Sequence, residues 1–234
     1  MTSPQKEPVD KAIDTKKQLE YWNGVEATHD GMLGGFEIVH RVDIQGSKNF
    51  FAKLRLPRDN PPFRVADCGA GIGRITKNFL TKINKSVTVD IIEPVQKFTT
   101  TITSNPDFEE ERREGRIGRV FNVGLEDWAP EEKAYWLIWT QWCVGHLTDA
   151  QLVEYVQRCG KALRDDGVLV VKENLASGAE DIFDEVDSSV TRSDQKFRKL
   201  FKDAGMKIVA TEVQKGMPKG LYQVRSYALK VYQA

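Results

Sequence analysis

Gly69, Gly71 and Gly73 stand at alternate positions in VADCGAGIGRI, after an apolar run and before a helical pattern. Bare backbone at such a turn lets a ligand come close and meet the N–H groups of a helix N-terminus. Glu93 closes the next apolar run, 22 residues beyond the central glycine. At that separation an acid hydrogen-bonds the ribose hydroxyls of an adenosine cofactor, with Asp90 the competitor if the strand register differs. Position 74, where a dinucleotide fingerprint wants a small residue, holds Arg74, and a guanidinium suits a carboxylate-bearing ligand. A tight turn beside a surface arginine carries the same letters, so the loop does not decide alone.

Two later apolar runs end in QWCVGHL, with Gln141, Trp142 and His146, and in KEN, Lys172 to Asn174. A histidine or carboxylate there is base enough for an α-amino group, whose unperturbed pKa of about 8 leaves it partly neutral near pH 7. Glu180, Asp181, Asp184, Glu185 and Asp187 then place five acids within eight residues. Such a run is ordinarily a solvated face, but beside a pocket it steers in a cationic ligand. Trp142, at a strand end, suits a pocket wall, whereas Trp136 and Trp139, within the run, suit a core. Trp22 precedes the glycine-rich DGMLGG and suits a lid. His29 and His40 show no partner in the sequence.

The elements that must position these residues alternate in type. An amphipathic stretch over Lys17 to Val25 and a turn at Asp30 to Gly35 precede a helix over Gly46 to Leu56, stopped by Asp59, Asn60, Pro61 and Pro62. Strands are expected at Phe63 to Cys68, Ser86 to Glu93, Ile117 to Gly124, Tyr135 to Trp142 and Gly167 to Asn174. Helices are expected at Ile72 to Lys82, Pro94 to Ser104, Asp149 to Leu163 and Asp194 to Asp203. Two closing strands, KIVATEVQKG and YQVRSYALKVY, can pair as an antiparallel hairpin. Alternation of this kind predicts an α/β fold, a doubly wound, mostly parallel sheet with helices on both faces. In such sheets ligands bind beyond the carboxyl ends of the strands, where the candidate residues fall.

The 234 residues carry 34 Lys+Arg against 34 Asp+Glu, and 40% are hydrophobic. That balance excludes wholesale disorder and argues against a protein that coats nucleic acid or an anionic membrane. Residues 188 to 234 nevertheless net +7 and residues 1 to 187 net −7; an RNA-binding role would rest on that basic end. Cys68, Cys143 and Cys159 lack metal-site spacing and read as reduced thiols. No signal peptide or membrane span is expected, which points to a cytoplasmic protein with nuclear access open. Residues 1–15 are expected as a flexible tail before one domain, 16–234.

WNGVEATHDGMLGGF, ADCGAGIGRIT, IWTQWCVGHLTD, VVKEN and DEVDSSVTRSD together resemble the α-N-terminal protein methyltransferases. These are class I enzymes dependent on S-adenosylmethionine that modify Xaa-Pro-Lys/Arg N-termini. The likeness spans Tyr21 to Leu229, and QWCVGHL with DEVDSSVTRSD is more specific than the glycine loop. It implies a Rossmann-like seven-stranded sheet ending in an antiparallel hairpin, an N-terminal helical cap at 16–62 and an acidic insertion at 175–192. The cofactor implied is S-adenosylmethionine, leaving as S-adenosylhomocysteine, with no metal. The substrates implied are protein N-termini freed of Met, ribosomal proteins notably, methylated up to three times by in-line attack of the neutral amine. A monomer with no membrane or nucleic-acid partner is expected.

Carried over by position, Gly69, Gly71, Gly73, Arg74, Glu93, Leu125, Glu126 and Gln141 would bind the cofactor. His146 and Asp187 would take the proton. Trp22, Leu33, Trp142, Asn174, Asp184, Ser189 and Tyr222 would bind the peptide. Glu93 departs from the Asp of human-type members, a longer arm for the same contact, and Leu175 to Phe183 diverges. A small-molecule amine methyltransferase and a non-catalytic cofactor- or peptide-binding module stay open as alternatives. The acids of 180–187 discriminate, because a small amine has no third-residue cation to meet them.

Overall fold

A computed structural model describes residues 7–232. The chain runs α1 (Thr15–Gly24), α2 (His29–Met32), α3 (His40–Leu54), β1 (Phe63–Cys68), α4 (Arg74–Asn78), β2 (Val87–Ile92), α5 (Gln96–Ser104), α6 (Glu109–Arg113) and β3 (Ile117–Phe121). It continues through β4 (Tyr135–Gln141), α7 (Asp149–Ala162), β5 (Leu163–Leu175), β6 (Ile182–Asp184), β7 (Ser189–Thr191), α8 (Asp194–Asp203), β8 (Met206–Val213) and β9 (Gln223–Val231).

The main sheet has seven strands in the order β3-β2-β1-β4-β5-β9-β8. The strands from β3 to β5 are parallel, and β9 joins β5 and β8 antiparallel. This is the doubly wound sheet with its closing hairpin that the alternation predicted. β6 and β7 form a separate two-stranded sheet. Every residue of β4 is buried, because apolar clusters cover both faces. Ala66, Ile138 and Leu169 point to one cluster, and Val65, Leu137 and Val170 to the other. Burial on both sides is why the strand reads as an unbroken apolar run. Trp136 and Trp139 are core residues, as expected.

Register brings the chemistry to one edge. Cys68 lies beside both Ile92 and Thr140, and Gln141 beside Lys172. Gly69, Glu93, Trp142 and Glu173, each one residue further along, therefore share the carboxyl edge. α7 starts cleanly there because Thr148 and Gln151 form a reciprocal capping box.

The N-terminal region departs from expectation. α3 begins at His40, six residues before the Gly46 expected, because its buried face includes Asp43 and Ser47 beside Ile44, Phe50 and Phe51. Polar residues on that stripe hide the helical period from an apolar count. Residues 1–6 of the expected tail lie outside the described residues. The rest is tied down: Val9–Ala12 forms a 3-10 turn, and buried Asp10 accepts the Asp149 N–H at 2.9 Å at the start of α7. The helix expected over Ile72 to Lys82 is split, with α4 followed by a 3-10 turn at Leu80–Lys82. Among the described residues no helix is long and apolar enough to cross a membrane.

Candidate active site

A cavity of about 420 Å³ opens at the carboxyl edge of the sheet, walled by the glycine loop, Glu93, the end of β4 and the inner face of α1. Gly69 has φ +68°, and a Cβ there would lie 2.5 Å from the Cβ of Cys143. Gly71 has φ +54°, and a Cβ would meet Met32 Sδ at 2.7 Å. Both positions thus exclude side chains by conformation and by space. Gly73 serves a different end, since its α-carbon faces Ile102 and Phe108 and lets α4 pack closely.

Glu93 Oε2 accepts the Gly71 N–H at 2.9 Å, and Oε1 accepts the Val95 N–H at 2.9 Å. Burial pushes its carboxyl up, and these two hydrogen bonds oppose the shift. Asp90, the competing acid, is engaged elsewhere with Arg64, the Tyr135 hydroxyl and the Arg119 N–H. Asp67 is buried, accepts from the Thr76 hydroxyl at 2.5 Å and is pushed up to about 6 by burial.

Behind the loop lies a buried charge cluster that the sequence did not announce. Asp43, fully buried on α3, pairs with Arg74 at 2.7 Å and Lys172 at 2.5 Å and accepts both hydrogen bonds from Gln141 Nε2 at 2.9 Å. Burial alone would push the Asp43 carboxyl up, but the two cations hold it below the usual carboxylate range. Trp139 Nε1 donates to Gln141 Oε1 at 3.1 Å, so that amide is held from both ends. One anion faces two cations, leaving a positive excess on the wall where Arg74 sits, its guanidinium 5.4 Å from the Trp142 ring centroid. A ligand carboxylate complements that excess.

His146 ends a 3-10 turn, Val144–His146, that follows a left-handed residue at Trp142, φ +55°. Its Nε2 accepts from Trp22 Nε1 at 3.0 Å, and the two rings meet edge to face. Its Nδ1 is buried with no hydrogen-bond partner among the described residues. Burial lowers the imidazole pKa, and the charge of Asp187 partly opposes this.

The turn is held from three sides. Gln18 Nε2 donates to His146 O at 3.0 Å; Arg192, fully buried, donates to Val144 O at 3.1 Å and Leu147 O at 2.5 Å; Glu173 Oε1 accepts the Val144 N–H at 3.0 Å. Burial pushes the Glu173 carboxyl up to about 7.

Of the residues expected in the site, Gly69, Gly71, Arg74, Glu93, Leu125, Glu126 and Gln141 line the cavity, with Trp22, Trp142 and His146. Asp184, Asp187 and Ser189 belong to the β6–β7 hairpin and are not among the residues lining the cavity; the Oδ1 atoms of the two acids accept the N–H groups of Val186 and Ser189. The hairpin meets α1 at Ser188, whose carbonyl accepts from Gln18 Nε2 at 2.8 Å, and burial followed by the charges of Asp187 and Asp184 pushes up the Tyr21 hydroxyl. Asn174 lies half-buried at the end of β5, and Leu33 is buried just after α2, outside the cavity lining. Tyr222 lies apart, 43% exposed, beside a separate depression shared with Leu175 and Ala176. Asp43, Gln18 and Arg192 are the additions that sequence reasoning missed. His29 and His40, without partners in the sequence, stack on each other at 4.4 Å.

The cavity offers bare loop backbone, a ribose-type acid, a cationic wall and apolar Val95, Phe98 and Leu125. S-adenosylmethionine, with its carboxylate, diol and purine, fits that donor set. Over residues 10–230 the sequence matches the family described as AdoMet dependent proline di-methyltransferase. The chain belongs to this methyltransferase family. It is 44% identical over 214 residues to the alpha N-terminal protein methyltransferase 1 of Schizosaccharomyces pombe, covering 90% of this chain and 93% of that one. It is 42% identical over 217 residues to the N-terminal Xaa-Pro-Lys N-methyltransferase 1-A of Xenopus laevis, covering 92% and 94%. A solved SAM-dependent methyltransferase from Leishmania major superposes with a TM-score of 0.82 at 38% identity, over 94% of this chain and 86% of that one. The cofactor of this methyltransferase is therefore S-adenosylmethionine, as the resemblance implied.

Proposed function

We propose that this methyltransferase modifies the α-amino group of proteins beginning Xaa-Pro-Lys or Xaa-Pro-Arg after Met removal, with His146 and Asp187 as its proton-handling pair. Ribosomal proteins are the expected substrates, and the enzyme acts as a cytoplasmic monomer without nucleic acid. The observation that carries this reading is a buried histidine at the cavity wall whose Nε2 is an acceptor, taking a hydrogen bond from Trp22 Nε1 at 3.0 Å, with its pKa lowered by burial and partly restored by the charge of Asp187 on the acidic hairpin. Relatives named for Xaa-Pro-Lys N-methylation support it.

Bound S-adenosylmethionine supplies an electrophilic methyl group that only an amine with a free lone pair attacks. Gly69, Gly71, Arg74, Glu93 and Gln141 would hold it, with Leu125 and Glu126 flanking. The chain's own task is to remove a proton. Because Nε2 accepts from Trp22, the neutral imidazole carries its hydrogen on Nδ1 and its lone pair on Nε2. When the indole yields, Nε2 accepts the ammonium proton, and the Asp187 charge stabilises the imidazolium that results. Asp184 and its neighbours attract the cation at the third residue, with Trp22 and Trp142 at the cavity wall receiving the peptide's first residue, Asn174, Ser189 and the buried Leu33 placed around it, and Tyr222, set apart from the cavity, left for residues further along the peptide.

The test is incubation with S-adenosylmethionine and a Ser-Pro-Lys peptide, read by mass spectrometry. Successive methyl additions on the N-terminus, abolished by N-acetylation, are expected. Methylation of an internal-lysine peptide or a small amine with none on Ser-Pro-Lys overturns the proposal.

A further inference from the structure

The proposed proton-handling pair comes from segments that do not adjoin in sequence: His146 from the turn after β4, Asp187 from the hairpin. One side chain bridges them. Gln18, 6% exposed on α1, donates through Nε2 to His146 O at 3.0 Å and to Ser188 O at 2.8 Å. Both hydrogens of one carboxamide nitrogen are thereby spent, one on the base's own carbonyl and one on the residue after Asp187. Ser188 is buried with a left-handed backbone, φ +57°, so its carbonyl direction is set by a turn that few residues adopt.

The placement of Gln18 is itself fixed. α1 is capped by Asp14, whose side chain accepts the N–H groups of Lys16 and Lys17 while its own N–H donates to Ser188 Oγ at 2.9 Å. One turn after Gln18, on the same face, Trp22 contacts the imidazole of His146. α1 thus grips the catalytic turn twice, by its backbone through Gln18 and by its ring through Trp22. Arg192 holds the carbonyls on either side of His146, Val144 O and Leu147 O, but reaches neither His146 O nor Ser188 O.

We infer that Gln18 is a positioning residue for methyl transfer, registering His146 against Asp187. The inference rests on the reading of His146 and Asp187 as the proton-handling pair. A buried amide nitrogen costs stability unless paired; here the pairing spans two segments that a proton must bridge, and misplacement of about 1 Å between reacting groups can cost about a hundredfold.

The experiment uses the full chain with S-adenosylmethionine and a Ser-Pro-Lys peptide. Gln18→Met keeps length and burial but has no donors. It should lower kcat by about tenfold to a hundredfold with the cofactor Kd close to wild type, and the loss should persist at temperatures well below a thermal midpoint lowered by the two buried carbonyls left unpaired. In a His146→Ala background the same substitution should add little, because groups acting as a unit are not additive. Gln18→Glu tests the donors without changing shape: its activity relative to wild type should rise as the pH is lowered and the new carboxyl regains a hydrogen to donate. An unchanged kcat in Gln18→Met overturns the inference, as does a loss that multiplies undiminished onto His146→Ala. Full activity in both His146→Ala and Asp187→Asn instead overturns the proton-handling pair, a separate failure that removes the role of Gln18 with it.

Discussion

The indole nitrogen of Trp22 donates to Nε2 of His146 across 3.0 Å, so the N-terminal helix and the candidate base share one hydrogen bond. A donor on Nε2 favours the neutral ring and works in the same direction as burial. In Trp22→Phe the donor is lost and an aromatic wall remains. The His146 pKa should rise, and the acid limb of kcat/KM should move to higher pH. Activity should fall several-fold on that limb and recover above neutrality. An NMR titration of His146 beside a pH–rate profile checks it; an unmoved limb would take the bond out of the mechanism.

Asp43 answers to two cations, and that asymmetry ranks two substitutions. Asp43→Asn leaves Arg74 and Lys172 buried without an anion, and breaking a buried pair in this way costs about 3–5 kcal/mol. Lys172→Met leaves Asp43 still paired with Arg74, so its cost should be smaller. Denaturant unfolding of both proteins gives the order, and the reverse order would show that Lys172 is the partner that matters.

Much of this site was legible because strands place residues at fixed ends. FRVADC, the glycines after it, Glu93 and QWCVGHL fall where an apolar run stops, and the sheet brings all such stops to one edge. The cluster under the loop was not legible. Asp43 sits on a helix face whose polar members break the apolar period, and its partners Arg74 and Lys172 lie far away in sequence. Gln18 and Arg192 were hidden for a related reason: both bind backbone carbonyls, and a carbonyl leaves no mark in a sequence. The stacking of His29 on His40 likewise depends on how α2 folds back onto the start of α3.

Glu93 accepts from the glycine loop at Gly71 and from Val95. An amide at this position accepts through one oxygen only and sets its NH2 against a backbone N–H. Glu93→Gln should weaken S-adenosylmethionine binding by about tenfold or more, the scale of a hydrogen bond to a charged group. The peptide KM should change little. Calorimetric titration with the cofactor measures the first, and a loss confined to peptide KM would move Glu93 out of the cofactor site.

Asp187 lies in the turn between β6 and β7, and its charge acts on His146. Asp187→Asn keeps an oxygen to accept the Ser189 N–H, at 3.1 Å in the wild type, but removes the charge facing His146. We expect kcat to fall by about a hundredfold or more with the cofactor Kd unchanged. Equal losses in both would make Asp187 a structural residue.

Glu173 links the site to the pH dependence of stability. Its folded pKa is pushed from 4.5 up to about 7 by burial. A carboxyl raised in this way binds its proton more tightly folded than unfolded, so its stabilisation is complete below about 4.5 and is lost as the pH rises towards about 7. His146 works oppositely: its pKa is lowered on folding, so the unfolded chain binds the proton more tightly and stability falls as the pH drops below 6.5. The two windows overlap, and substitutions separate them. Glu173→Gln should lower stability through the lost acceptor to Asn174 N–H, yet flatten the decline of unfolding free energy between the two Glu173 values. His146→Ala should leave that decline in place and remove the opposing one. Urea unfolding across this pH range gives both slopes, and an undiminished decline in Glu173→Gln would assign it to another buried acid, with Asp67, pushed up to about 6, the next to substitute.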